Sequence, residues 1–365
     1  MPLIWAAISG HGFGHAAQVV PVLNALHRFV PDLRVLLRTA VPPSFFQDRL
    51  VPPWDVSPVQ QDVGCVQNGP LKIDVEATWR EHHRFHSSWE ERLQAEFEAM
   101  KTAGPNVVLA DTPYLALAAG KTAALPAVAL VSFTWDLVLS EYIAPRSIDG
   151  RAIIQSIRQA YGKADLALRI NPAPKMEIFQ RIIDIGPIAE PASPAREQLT
   201  EFLGLARGEQ TVLVGFGGVP LDSLPFSRLE SLTGYRFIFD GSIPLGSRRF
   251  VAAASLPFSF KTLMASIDLI MTKPGYGTLV EAVALRTPLV YVRRYNFADE
   301  QPLVDYLHRY GRGVELSLDA FAHGHWEESL QRAQSLPPPS EHVPPATGAD
   351  EAAALLAPYF FTARH

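Results

Sequence analysis

Short, uninterrupted apolar runs recur along this chain, each followed by a stretch whose apolar residues return every three or four positions. In the first half the runs are Leu3 to Ile8, Arg34 to Leu37, Val107 to Ala110, Ala127 to Val131 and Leu166 to Ile170. They lack the apolar–polar alternation of a half-exposed sheet, so they predict parallel strands covered on both faces. Ala16 to Phe29, Glu81 to Met100, Tyr114 to Ala123 and Ala152 to Tyr161 predict helices, the first kinked at Pro21. Strand and helix in alternation predict a doubly wound α/β domain.

The pattern breaks between Ile185 and Pro194, where Gly186, Pro187, Pro191 and Pro194 mark a linker, and then restarts. Thr211 to Val214, Arg236 to Phe239, Leu269 to Met271 and Leu289 to Val292 predict strands, separated by helices such as Phe260 to Ser266 and Leu279 to Leu285. The proline-rich Leu336 to Pro345 is neither helix nor central strand, and Asp350 to Tyr359 predicts a short amphipathic helix. The expected architecture is α/β: two doubly wound, Rossmann-like domains facing a cleft, 1–188 and 197–345, with a terminal segment 350–365 packed back on the first. A length of 365 residues agrees with two cores rather than one.

Composition narrows the function classes. With 48% apolar and 19% charged residues and no apolar stretch near the roughly 18 residues of a membrane span, the chain reads as globular. No signal-peptide pattern precedes the first strand, so the expected location is cytoplasmic, with peripheral membrane contact left open. The net charge of −5 argues against a nucleic-acid partner. Cys65 is the single cysteine, which excludes intramolecular disulfides and cysteine-based zinc sites; without a basic neighbour it reads as a small buried hydrophobe.

Two glycine-rich turns carry the candidate chemistry. Ser9-Gly10-His11-Gly12-Phe13-Gly14-His15 and Thr272-Lys273-Pro274-Gly275-Tyr276-Gly277-Thr278 each join a strand to a helix, leaving backbone N–H groups at a helix N-terminus suited to anions. The first is not a dinucleotide fingerprint, because the third glycine falls at His15 and the second strand ends without the ribose-binding acid. His15, at a strand's C-terminal edge, is a candidate general base, and Asp111, ending Val107 to Ala110, is either its carboxylate partner or an N-cap for the next helix. Lys273 with the N–H groups from Gly275 to Thr278 would hold a diphosphate, and Glu281, one turn further, would accept from ribose hydroxyls. The cluster Tyr295 to Gln301 follows another strand, where a carboxylate beside an amide suits vicinal sugar hydroxyls. The pair His82 and His86 has metal-ligand spacing without a completing carboxylate, so no metal is expected.

These residues resemble the two-Rossmann-domain, or GT-B, glycosyltransferases. Gly12-Phe-Gly-His15 is similar to that family's opening turn, whose histidine deprotonates the acceptor, and Asp111 to the aspartate supporting it. Lys273 to Glu281 and Glu300-Gln301 resemble the donor motif and its acid–glutamine pair, with lysine where the family has a phosphate-contacting histidine and no counterpart of the plant enzymes' base-stacking tryptophan. A nearer resemblance, over almost the whole chain, is to the glycosyltransferase-like portion of plant L-arabinokinases, through Gly10 to His15, Phe133-Thr-Trp-Asp136, Glu141-Tyr142, Phe216-Gly-Gly218, Lys273 to Glu281 and Val292-Arg-Arg294, without their sugar-kinase portion.

The resemblance implies an inverting, metal-independent transferase using a nucleoside diphosphate sugar, a UDP-sugar first, as co-substrate, with no other cofactor. His15 and Asp111 are the expected catalytic pair. Gly14, Gly217, Lys273, Gly275, Tyr276, Gly277, Thr278, Glu281, Glu300 and Gln301 are the expected donor residues. His11, Phe13, Trp135 and Asp136 are the cleft or acceptor candidates, while the loop Ser57 to Ile73, expected to choose the acceptor, carries no mechanistic signature. A non-catalytic nucleotide-sugar sensor and a UDP-sugar 2-epimerase are the rival readings.

Overall fold

The three-dimensional structure is a computed structural model that describes residues 1–144, 147–217 and 224–361. Among them, one sheet contains β1 (Leu3–Ile8), β2 (Arg34–Thr39), β3 (Trp54–Pro58), β4 (Val107–Asp111), β5 (Ala127–Val131), β6 (Leu166–Ile170) and β7 (Ile182–Ile185), in the order β3-β2-β1-β4-β5-β6-β7. The other contains β8 (Gln210–Val214), β9 (Tyr235–Phe239), β10 (Phe250–Ala252), β11 (Leu269–Thr272), β12 (Leu289–Tyr291) and β13 (Gly313–Glu315), in the order β10-β9-β8-β11-β12-β13. Every pairing is parallel.

The apolar runs mean what their lack of alternation implied. Along β1, Ile4, Ala6 and Ile8 enter one core while Trp5 and Ala7 enter another on the opposite face, so both faces are apolar. The runs missing from the sequence reading are β3, β7, β10 and β13, and all four are sheet edges. An edge strand is partly solvated and needs no continuous apolar run; β3 has no fully buried residue.

Several helices start three or four residues earlier than expected, and one expected helix is split. The stretch Glu81 to Met100 belongs to two helices, Val75–Ser87 and Trp89–Ala103, broken at Ser88, whose backbone leaves the helical region. The first helix begins at Phe13 rather than Ala16 and runs on through Pro21 to Phe29, so His15 lies inside its first turn. Gly12 makes that start possible: it sits at φ 88°, in the left-handed region that a side chain would strain.

The chain's last described α-helix, Gly348–Leu356, packs along Phe13–Phe29 of the first unit, and its Glu351 accepts from the N–H of Gly186 in the linker at 2.9 Å. Of the expected terminal segment, 362–365 lie outside the described residues.

In each sheet the strand order reverses at one point, between β1 and β4 in the first and between β8 and β11 in the second. At such a point the connecting helices leave to opposite faces and open a crevice at the strands' C-terminal ends. Register makes the consequence concrete. Ile8 lies opposite Asp111, which brings the first glycine turn beside that carboxylate, and Met271 lies opposite Val214, which brings Lys273 beside Phe216 and Gly217.

Candidate active site at the two switch points

His15 and Asp111 meet at the first crevice. The Asp111 carboxylate oxygens lie 2.9 and 3.2 Å from His15 Nδ1, and both side chains are buried. Asp111 does not cap the following helix, whose N-cap is Pro113 with no side-chain bond. The chain instead turns at Thr112, a β-branched residue held at φ 54°, and the Tyr161 hydroxyl fixes the turn by donating to the Thr112 carbonyl at 2.7 Å. With Nδ1–H directed to the carboxylate, Nε2 is left as the nitrogen with a free lone pair.

The electrostatics of the pair oppose one another. Burial favours neutral His15, but Asp111, by charge and by hydrogen bond, together with Asp62 and Asp299, outweighs it and raises the imidazole pKa above its ordinary value. His11 behaves in the opposite sense: burial, with the nearby charges of His15, Arg294 and Lys273, lowers it to about 3. It is therefore a neutral ring, its Nε2 3.0 Å from the Gln67 amide.

At the second crevice, Lys273 extends its ammonium to the Phe216 carbonyl, 2.6 Å away. Gly217 beside it takes φ 73°, and a Cβ there would lie 3.8 Å from Lys273 Nζ. Burial, then Arg294, lowers the Lys273 pKa to about 7, against the opposing charges of Asp299 and Glu300. The helix that follows, Tyr276–Leu285, starts at Gly275 with no side-chain cap and no acid in its first turn, so Gly277 and Thr278 leave their N–H groups to an anion. The first-domain helix at Gly12 and Gly14 is likewise uncapped and acid-free.

The two crevices face each other across the segment between β12 and the helix Glu300–Tyr310. Phe297 of that segment is buried in the first domain's core, with its ring centroid 5.8 Å from Phe133, which in turn lies 5.7 Å from His15. Arg294 stacks on Phe297 at 3.9 Å. Asp299 arrives with them, buried, one carboxylate oxygen without a partner, its pKa raised to about 6 chiefly by burial.

No family model matches the chain. Over 346 residues it is 29% identical to L-arabinokinase of Arabidopsis thaliana, a match covering 91% of this chain and 32% of that protein, so the chain spans about a third of its relative's length. Among solved structures it is similar to the calicheamicin glycosyltransferase CalG4, with TM-score 0.61 and 17% identity over 98% of this chain and 94% of that one. A UDP-glucosyltransferase from Polygonum tinctorium that glucosylates indoxyl gives 0.61 and 14% over 99% of each chain. The spinosyn rhamnosyltransferase SpnG, solved with thymidine diphosphate, gives 0.54 and 15% over 99% and 96%. The chain has the GT-B fold.

Within that GT-B frame, several expected donor residues have other partners. Glu300 is fully buried, its carboxylate 2.7 Å from Arg294 Nε and accepting the N–H groups of Arg294 and Tyr295, so it secures the segment; Asp299 is the acid with a free oxygen. Gln301 is exposed and donates to Asp305. The Tyr276 hydroxyl donates to the Asn171 carbonyl at 2.8 Å and accepts from Ile188 N–H at 3.1 Å, a tie between the GT-B halves. Glu281 is paired with Lys261 at 2.9 Å, and Gly218 lies outside the described residues.

The cleft candidates divide. Phe13 is 46% exposed and stacks on Phe45, the one expected aromatic that presents a free face. Trp135 is fully buried, packed edge-on to His11 and 6.2 Å from His15. Asp136 points instead to Arg158, 3.0 Å away. His82 and His86 sit in an aromatic cluster with Trp79, Trp89 and Tyr114, and burial lowers them to about 3 and about 4. Cys65 is buried and its thiol raised to about 12. Among the described residues, no helix is long and apolar enough to cross a membrane.

Sequence reasoning passed over Asp62. It lies in the loop between β3 and the helix Val75–Ser87, buried beside the His15 pair, accepting from Ser9 Oγ at 3.1 Å and Trp135 Nε1 at 2.7 Å. A lone acid in an irregular loop has no periodic or spacing signal; only the tertiary approach of Ser9 and Trp135 identifies it.

Proposed function

We propose that this chain transfers a sugar from a nucleoside diphosphate sugar to an acceptor hydroxyl, with inversion and without a metal ion. The observation that carries the reading is the pairing of His15–Asp111 at one switch point with Lys273 and an uncapped helix start at the other. A base and an anion site on opposite walls of one cleft are what such a displacement needs. The GT-B neighbours include enzymes that act on UDP-sugars, which makes UDP the first nucleotide to try.

In the proposed step the acceptor oxygen forms its bond to the anomeric carbon as the bond from that carbon to the diphosphate breaks. The proton moves to His15 Nε2, the leaving electron pair stays on the diphosphate, and Asp111 balances the imidazolium. Lys273 and the N–H groups at Gly277 and Thr278 take up the leaving charge, the part a metal plays elsewhere. Asp299 is the proposed acceptor for the sugar hydroxyls, in place of Glu300.

The test starts with the donor, because it needs no acceptor. Calorimetry with UDP, UDP-glucose and thymidine diphosphate should show binding that depends on the diphosphate. Incubation with UDP-sugars alone then separates the readings, since a transferase releases UDP slowly by hydrolysis, an epimerase returns an altered sugar and a sensor leaves the sugar intact. Absence of diphosphate binding would overturn the proposal.

A further inference from the structure

Three buried acids surround His15, and the transfer reading uses only two. Asp62 remains, on a loop that is tightly tied: Gln61 donates to buried Glu96 at 2.7 Å, Val66 N–H to Thr78 Oγ1 at 2.9 Å, and Gln67 contacts His11. Gly64 lets this loop approach, since a Cβ there would sit 2.4 Å from His11 Nδ1. The loop therefore delivers a carboxylate to a chosen place.

That place is between the two turns that frame the base. Asp62 accepts from Ser9, which opens the glycine turn, and from Trp135, whose ring lies against both His11 and His15. We propose that Asp62 is a positioning residue for the His15 base: with Asp111 it forms a two-carboxylate support, locking Trp135 as the wall behind the imidazole and balancing the proton the imidazole accepts. The inference rests on the transfer reading for its purpose, though not for its measurement.

The charges that face His15 come from three directions, Asp111 from β4, Asp62 from the tied loop and Asp299 from across the cleft, while His11 from its own turn faces it as a neutral ring. Lys273 and Arg294 act on His11. Removing the Asp62 charge alone should therefore disfavour the imidazolium.

Histidine-labelled protein spanning residues 1–365 is titrated by NMR, with His15 assigned by its loss in His15→Gln. Asp62→Asn keeps a side chain able to meet Ser9 and Trp135, and should move the His15 midpoint down by about one pH unit, a tenfold change in proton affinity. Asp136→Asn, which removes a buried charge paired with Arg158, should leave it in place. Should Asp62→Asn not fold, Ser9→Ala serves, because an Asp62 deprived of its hydroxyl donor gives up its charge more readily and shifts His15 the same way. An unchanged His15 midpoint in a folded Asp62→Asn, with a clear shift in Asp111→Asn, overturns the proposal. UDP binding measured on the same samples reports separately: its failure in wild type rejects the transfer reading while the His15 titration still decides the role of Asp62.

Discussion

Lys273 donates to the Phe216 carbonyl across the β8–β11 switch point, 2.6 Å away and 57 residues apart in the chain. The contact holds a half-buried ammonium at the mouth of an uncapped helix, where its charge is costly until an anion arrives. With a free pKa lowered to about 7, Lys273 is partly neutral at physiological pH. A bound diphosphate restores the charged form, so binding should take up a proton, and UDP affinity should fall as pH rises from about 7 to 9. Calorimetry in buffers of different ionisation enthalpy measures the uptake. Lys273→Ala should abolish it and weaken UDP binding by about 1.5–3 kcal/mol, the range for hydrogen bonds to charged groups. Proton uptake unchanged in that variant would remove Lys273 from the site.

His15 and Asp111 make a kinetic prediction. His15→Ala should leave donor affinity nearly intact and lower turnover by roughly 10²–10⁴, the contribution of a positioned base. Because the active imidazole is neutral and its pKa is raised, the rate should climb with pH through that raised value and then level off. Asp111→Asn should move the climb to lower pH, which a pH–rate profile reads directly.

Asp299 and Glu300 are adjacent in the chain and should behave differently. Glu300→Gln breaks a fully buried pair with Arg294 and should cost about 3–5 kcal/mol in chemical denaturation. Asp299→Asn should retain the fold and weaken UDP-sugar more than UDP, as its proposed contact with the sugar hydroxyls requires. Equal losses for the two ligands would argue that Asp299 does not touch the sugar.

Tyr276→Phe should lower stability by about 1–3 kcal/mol, through the hydroxyl that joins Asn171 and Ile188, while UDP affinity stays at the wild-type level. A large loss of UDP binding without loss of stability would return Tyr276 to the donor site.

Asp62 and Asp299 also predict how stability varies with pH. Both pKa values are raised from 3.8 to about 6 by burial, so between those limits each of these carboxyls holds more of its proton in the folded chain than in the unfolded one. These two carboxyls therefore contribute a loss of stability as pH rises from about 4 to 6, on the order of 2–3 kcal/mol for each group, set against the opposite contribution of His11, His82 and His86, whose lowered values favour the fold as pH rises. Asp62→Asn and Asp299→Asn should each shift the slope of stability against pH in the positive direction relative to wild type, in denaturation curves taken from about pH 4 to 6, leaving the variants relatively more stable at pH 7 than at pH 4. A slope identical to wild type would mean that these carboxylates are solvated.

The sequence by itself determined the layered α/β architecture, because apolar runs such as β1 and β4 are written by the need to cover both faces of a parallel sheet. It also showed the two glycine turns and the His15 and Asp111 candidates, since strand ends are legible once strands are. Tertiary structure alone decided which polar groups meet. The edge strands β3, β7, β10 and β13 were hidden because an edge is only half covered and carries no apolar run. Glu300 and Asp299 differ by one position and in their partners because the helix begins at Glu300, turning its carboxylate back onto Arg294 and leaving an oxygen of Asp299 unpartnered. Asp62 had no local signature at all: its meaning is an approach of three distant segments, and such an approach follows from how the sheet and its loops pack, which no local pattern records.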